Sequence, residues 1–151
     1  MASLVVMPTD AHRSSGSLLR TLTVKTARRT ELRNVTAEIQ AVVRESGCAE
    51  GVCRLYVPHT TAAVLINEGY DPDVARDMEA ALDKLVPRSG NYAHAEGNSD
   101  AHIKTALIGS SETVWIEGAR LMLGRWQAIF FAEFDGPRTR ELRIKIVPDP
   151  A

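Results

Sequence analysis

Three histidines, His59, His94 and His102, and two glutamates, Glu68 and Glu133, are the side chains of this sequence best suited to proton transfer or ligand binding. His59 stands just before the apolar run Ala62 to Ile66, and Asn67 and Glu68 stand just after it. An imidazole at the mouth of a buried strand, with an amide and a carboxylate at its exit, can form the floor of a site. His102 follows Ser99 by three residues. If Ser99 caps a helix, His102 falls at the third helical position, beside amides without intrahelical partners. The positive end of the helix dipole then keeps the imidazole neutral, and the same amides attract an anion. Asp100 in that turn repels an anion unless a metal or a cation offsets it. It can instead join the imidazoles in a mixed oxygen and nitrogen site for zinc or a similar ion. Spacing alone gives no compact metal motif.

These residues need a scaffold, and the chain predicts one. Alternating polarity from Leu18 to Thr26 reads as a strand, and Asn34 is placed to cap a helix along Val35, Ile39, Val42 and Val43 that Gly47 ends. Two strands follow, Val52 to Val57 and Ala62 to Ile66. Asp71, Pro72 and Asp73 then signal the start of a helix with the stripe Val74, Met78, Ala81, Leu82 and Leu85. A short helix is expected from Ser99 to about Ile108, and a hairpin around Gly118 and Ala119. The strand Trp126 to Phe134 puts Trp126, Ala128, Phe130 and Phe134 on one face and Gln127, Ile129, Phe131 and Glu133 on the other. Leu142, Ile144 and Ile146 alternate with Arg143 and Lys145 in a last strand with one wet face. The expectation is one α+β domain over residues 18–151, after a flexible extension over residues 1–17. About seven mainly antiparallel strands pack in a layered, sandwich-like arrangement with about three helices.

Composition narrows the function. The chain has 151 residues, 44% hydrophobic and 25% charged, as in an ordinary globular domain. A net charge of -1 gives no global case for nucleic acid or an anionic membrane, although Arg138, Arg140, Arg143 and Lys145 fall close together. No apolar run approaches the roughly 20 residues that span a bilayer, and Leu4 to Met7 is too short for a signal-peptide core; a cytoplasmic protein is expected. Cys48 and Cys53 read as reduced, structural thiols.

The motifs PHTTAAVLINE, DPDV with Asp77, YAHAEG, AHIKTALIGSS, LGRWQAIF and EFDGPRTR occur in this order from about Leu18 to Val147. Together they resemble the YjbQ-like family, small proteins named for a weak, secondary thiamine-phosphate synthase activity. The resemblance implies a compact α+β domain, commonly trimeric, with a polar pocket near a subunit boundary. Residue by residue it carries over His59, Thr60, Asn67, Glu68, His94, His102, Trp126, Gln127 and Glu133. The reading that follows is a pocket for a phosphorylated or otherwise anionic small molecule. His59 and His102 hold the substrate or shuttle protons, and Glu68 or Glu133 orients an imidazole. Thr60, Asn67, Ser99, Trp126, Gln127 and Arg138 bind substrate. The alternatives are a non-catalytic ligand- or metal-binding trimer and a metal-dependent hydrolase, with zinc or magnesium on His59, His94, His102 and Asp100.

Overall fold

The computed structural model describes residues 16–150 and the backbone of Val6–Met7. The elements are β1 (Val6–Met7), β2 (Leu18–Lys25), β3 (Glu31–Asn34), α1 (Thr36–Ser46), β4 (Gly51–Tyr56), β5 (Ala62–Glu68), α2 (Pro72–Leu85), α3 (Ser99–Ile108), β6 (Ser111–Glu117), β7 (Arg120–Leu121), β8 (Gln127–Glu133) and β9 (Thr139–Pro148). One sheet has the order β1-β2-β9-β4-β6-β7 and the other β3-β8-β5. Every strand pairing is antiparallel. The α+β class is as the sequence predicts, the second strand of the expected hairpin is β7, and β1 and the four-residue β3 are strands beyond those expected. Most of the expected 1–17 extension, with His12, lies outside the described residues.

The alternation of β8 decides the layering. Ile129 and Phe131 enter the core between the two sheets, with Val24, Leu55, Leu142, Ile144 and the α1 residues Ile39 and Val43. Ala128, Phe130, Ala132 and Phe134 face the other way, onto Ala75, Met78 and Leu82 of α2 and Ala101 and Ile108 of α3. The small sheet is therefore buried on both faces, which is why β5 and β8 read as almost continuous apolar runs. Among the described residues nothing covers the outer face of the large sheet, and β9 alternates exposed and buried residues along nearly its whole length.

Local chemistry sets the ends of the elements. Asp71 accepts a hydrogen bond from the Asp73 amide at 2.9 Å, with Pro72 at the first helical position. The Asn34 side-chain oxygen Oδ1 accepts from the amide and hydroxyl of Thr36, and α1 begins two residues after the expected cap. Gly118 and Ala119 both have positive φ, 56° and 60°, as a two-residue hairpin turn of this hand requires. The Gln40 side chain fastens that turn to α1, donating to the Ala119 carbonyl and accepting from the Leu121 amide, both at 3.0 Å.

Both cysteines are free and buried. Burial pushes the Cys53 thiol up to about 12, consistent with a structural role. No helix among the described residues is long and apolar enough to cross a membrane.

Candidate functional site

Strand β8 ends on Glu133, which is fully buried. The register sets it opposite Ala62 of β5 and Glu31 of β3. Arg140 of β9 reaches it from the large sheet, with Nη2 at 2.6 Å from Oε1 and Nε at 2.8 Å from Oε2. Thr26 Oγ1 and the amides of Phe134 and Asp135 donate as well. Burial alone would raise the Glu133 pKa; the hydrogen bonds and the Arg140 charge prevail and lower it. Arg140 also donates to Thr61 Oγ1 at 2.7 Å. Glu133 thus serves as an anchor between the sheets and forms no hydrogen bond to an imidazole, the role expected of it.

His59 lies beside that anchor. Its Nε2 accepts the Glu141 amide at 2.9 Å. Burial and the positive charge of Arg140 lower its pKa from the ordinary histidine value, against the smaller opposing pull of Glu141 and Glu133. It is a neutral imidazole at pH 7, with one nitrogen already engaged by backbone.

The turn after β8, residues 135–138, is bound to α3. Asp135 Oδ1 accepts from Arg29, and Oδ2 accepts from Arg138 and from Asn98 Nδ2. Burial tends to raise the Asp135 pKa, but the Asn98 and Arg138 hydrogen bonds with the nearby guanidinium charges hold it low. Asn98, not Ser99, occupies the cap position of α3, and its side chain does not cap. His102 is therefore the fourth helical residue, and its amide is bonded to the Asn98 carbonyl at 3.3 Å. The expected third position, beside free amides, is not what forms. Asn98 turns its Nδ2 to Asp135 instead, which also leaves its Oδ1 buried without a hydrogen-bond partner.

Asp100 is 1% exposed and meets two cations, Arg29 Nη2 at 2.9 Å and Lys104 Nζ at 3.1 Å. Lys104, equally buried, also reaches Asp83 of α2 at 2.6 Å. The carboxylate that could have repelled an anion is offset by protein cations and is not free to hold a metal. Among the described residues no three His, Cys, Asp or Glu side chains are grouped to hold a metal ion, so the set His59, His94, His102 and Asp100 does not fit one in this chain.

His94 and His102 do meet. Their rings stack edge to face with centroids 5.5 Å apart. They open onto a cavity of about 330 Å³ lined also by Tyr92, Ala93, Ser99 and Ile103. The remaining candidates lie elsewhere. Glu68 pairs with Gln127 at the far end of the strands where Ala62 meets Glu133. Six residues of strand separate the two ends by roughly 20 Å. There Asn67 accepts the Glu68 amide, Gln127 accepts the Gly124 amide, and Trp126 packs edge-on against Tyr70. Glu68 lines a separate cavity of about 260 Å³ with Arg28 and Asp71. Thr60 is exposed in the loop before β5.

Sequence reasoning missed Arg29, Asp83, Asn98, Lys104 and Asp135. Lys104 carried a signal, standing four residues after Asp100 on one helical face. Arg29 and Asp83 carried none, since their partners are distant in the chain.

The family model for the UPF0047 protein YjbQ-like group matches residues 20–149. The chain belongs to the YjbQ-like UPF0047 family. UPF0047 protein MJ1081 of Methanocaldococcus jannaschii is 49% identical over 126 residues, 83% of this chain and 91% of the relative. UPF0047 protein YugU of Bacillus subtilis is 45% identical over 131 residues, 86% and 99% of the two chains. Among solved structures, a YjbQ/UPF0047 protein of Clostridium acetobutylicum superposes with a TM-score of 0.83 at 46% identity, covering 84% of this chain and 98% of that one. A YbjQ-like protein of unknown function from Sulfolobus solfataricus gives 0.85 at 29% identity, covering 88% and 98%. These likenesses establish family and fold; the names carry no activity.

Proposed function

We propose that this YjbQ-like chain binds a small phosphorylated or otherwise anionic molecule over the first turn of α3. The His94–His102 pair at the mouth of a cavity carries the reading. Each ring can offer an N–H to an anion, and Ser99 adds a hydroxyl. The amides of Ser99 and Asp100 precede the first intrahelical bond of α3, at the positive end of its dipole. Arg138, half exposed, is held near this turn through Asp135 and Asn98. Asp100 is offset by Arg29 and Lys104, and the carboxylate that an anion would have to displace is the exposed Glu96, 3.7 Å from His94 Nε2.

The weak thiamine-phosphate coupling implied by the resemblance stands second, as a by-product of holding a phosphate there. No step through a metal is assigned, because the described donor set does not fit one.

The test is titration of inorganic phosphate and pyrophosphate into chelator-treated protein, following the imidazole resonances by NMR. Both His94 and His102 should shift together, and His94→Asn or His102→Asn should weaken binding at least tenfold. Unmoved resonances at millimolar phosphate would remove the reading. Assay of pyrophosphate release from the pyrimidine and thiazole phosphates tests the coupling separately.

A further inference from the structure

The basic cluster noted in the sequence is divided by the fold, and one half of it is left without a task. Arg140 turns inward to Glu133 and Arg138 stays with Asp135, while Arg143 and Lys145 point to the open face of the large sheet. There β4 brings Arg54 directly opposite Lys145 and Tyr56 directly opposite Arg143. Like charges facing each other across a strand pair are destabilising. Among the described residues neither Arg54 nor Lys145 forms an ion pair, and Arg143 has a carboxylate, Glu141, only at 3.9 Å. Three cations therefore crowd one block of sheet in a chain whose net charge is -1.

Two aromatic rings border the block. Tyr56 is 48% exposed, and Trp115 of β6, opposite Val52, is 74% exposed. Thr21, Thr113 and Ser111 occupy neighbouring positions on the same pairings, small side chains that leave the rings standing clear. The face is cationic at Arg54, Arg143 and Lys145, beside Tyr56, whereas Trp115 borders a cavity of about 340 Å³ lined also by Glu50, Glu117 and Asp149. Cations and exposed rings on adjacent strands match a ligand that has both phosphates and planar faces.

We propose that the outer face of the large sheet binds single-stranded nucleic acid, with Arg54, Arg143 and Lys145 on the phosphates and Tyr56 and Trp115 under the bases. The charge of the whole chain gave no case for nucleic acid because acidic residues such as Asp73, Asp77, Glu79 and Asp83 are gathered on α2, in a different layer. This face is separate from the α3 cavity, so the two proposals stand or fall independently.

Fluorescence anisotropy of a labelled oligouridylate of roughly ten nucleotides, at about 50 mM salt, tests the inference. The expected result is binding whose logarithm falls with the logarithm of salt with a slope of about -2, as three phosphate contacts on a single strand give. Trp115→Ala and Tyr56→Ala should each weaken it about fivefold or more. Arg54→Glu and Lys145→Glu should abolish it, with Arg54→Gln and Lys145→Gln as milder variants should the reversals disturb folding by circular dichroism. Absence of binding would overturn the inference, as would binding indifferent to both aromatic variants. Competition by polyglutamate as effective as by unlabelled oligouridylate would assign the face to an acidic protein segment instead. A fall in solution mass on Trp115→Ala would assign it to a second copy of the chain.

Discussion

Arg140 grips Glu133 with two nitrogens, 2.6 Å and 2.8 Å from the two carboxylate oxygens, and so ties the large sheet to the small one. A fork of this kind satisfies both oxygens at once, and it is the strongest form of such a pair. Removing one partner leaves the other charge buried and uncompensated, which costs about 3–5 kcal/mol. Arg140→Met is expected to lose that much in urea unfolding, whereas the double variant Arg140→Met with Glu133→Leu should recover part of it. Equal loss in the single and double variants would show that the pair is not coupled.

The same carboxylate gives a pH dependence of known sign. The folded pKa of Glu133 is lower than its unfolded value, so its stabilisation is complete above the unfolded pKa and is lost as pH falls through the folded one. Acid unfolding followed by circular dichroism should show a steeper acid limb in the unaltered protein than in Glu133→Gln.

His59 acts at higher pH. Its folded pKa lies below the unfolded value of 6.5, so the unfolded chain takes up the proton first. Stability should therefore fall as pH drops below about 6.5 and stop falling once the folded imidazole titrates. His59→Gln should flatten this region. An NMR titration placing His59 at or above the ordinary value would contradict the expected direction.

Asp100 and Lys104 form a second buried pair, each 1% exposed. A double-mutant cycle of Asp100→Asn and Lys104→Met should return a coupling of about 1–3 kcal/mol. Lys104→Met alone should also disturb the His102 resonances, because the pair fixes the first turns of α3.

Self-association remains a proposal, drawn from the resemblance and from surface that the fold leaves bare. Leu85 of α2 is 70% exposed and Leu107 of α3 is 58% exposed. Light scattering at micromolar concentration should give three times the chain mass, and Leu85→Asp with Leu107→Asp should lower it. A monomer mass for the unaltered protein would end the trimer proposal.

What the sequence disclosed was what repeats along it. The two faces of β8 follow from a period of two, and the start of α2 follows from Asp71 and Pro72 at adjacent cap positions. What it concealed was pairing at a distance. The stripe of α2 was expected to bury Leu85, yet Glu79 is the residue of α2 that is buried. Arg28 holds it through two nitrogens, and its Oε1 accepts the Leu32 amide at 2.8 Å. No local period announces a carboxylate whose partners are 47 and 51 residues away. The site divided for the same reason. His94 and His102 share a neighbourhood in sequence and meet, whereas Glu68 and Glu133 share one strand pair but stand at its opposite ends.

The position of β9 between β2 and β4, and of β8 between β3 and β5, bears on how the chain is made. Each sheet is closed by a strand that leaves the ribosome after nearly all its neighbours. Until residues 127–148 emerge, β2 and β4 have no strand between them and β3 and β5 cannot be joined. The nascent chain must carry the apolar faces of both halves uncovered through most of its synthesis. A premature stop before Gln127 should therefore yield a chain retained by holdase chaperones, not a smaller folded domain.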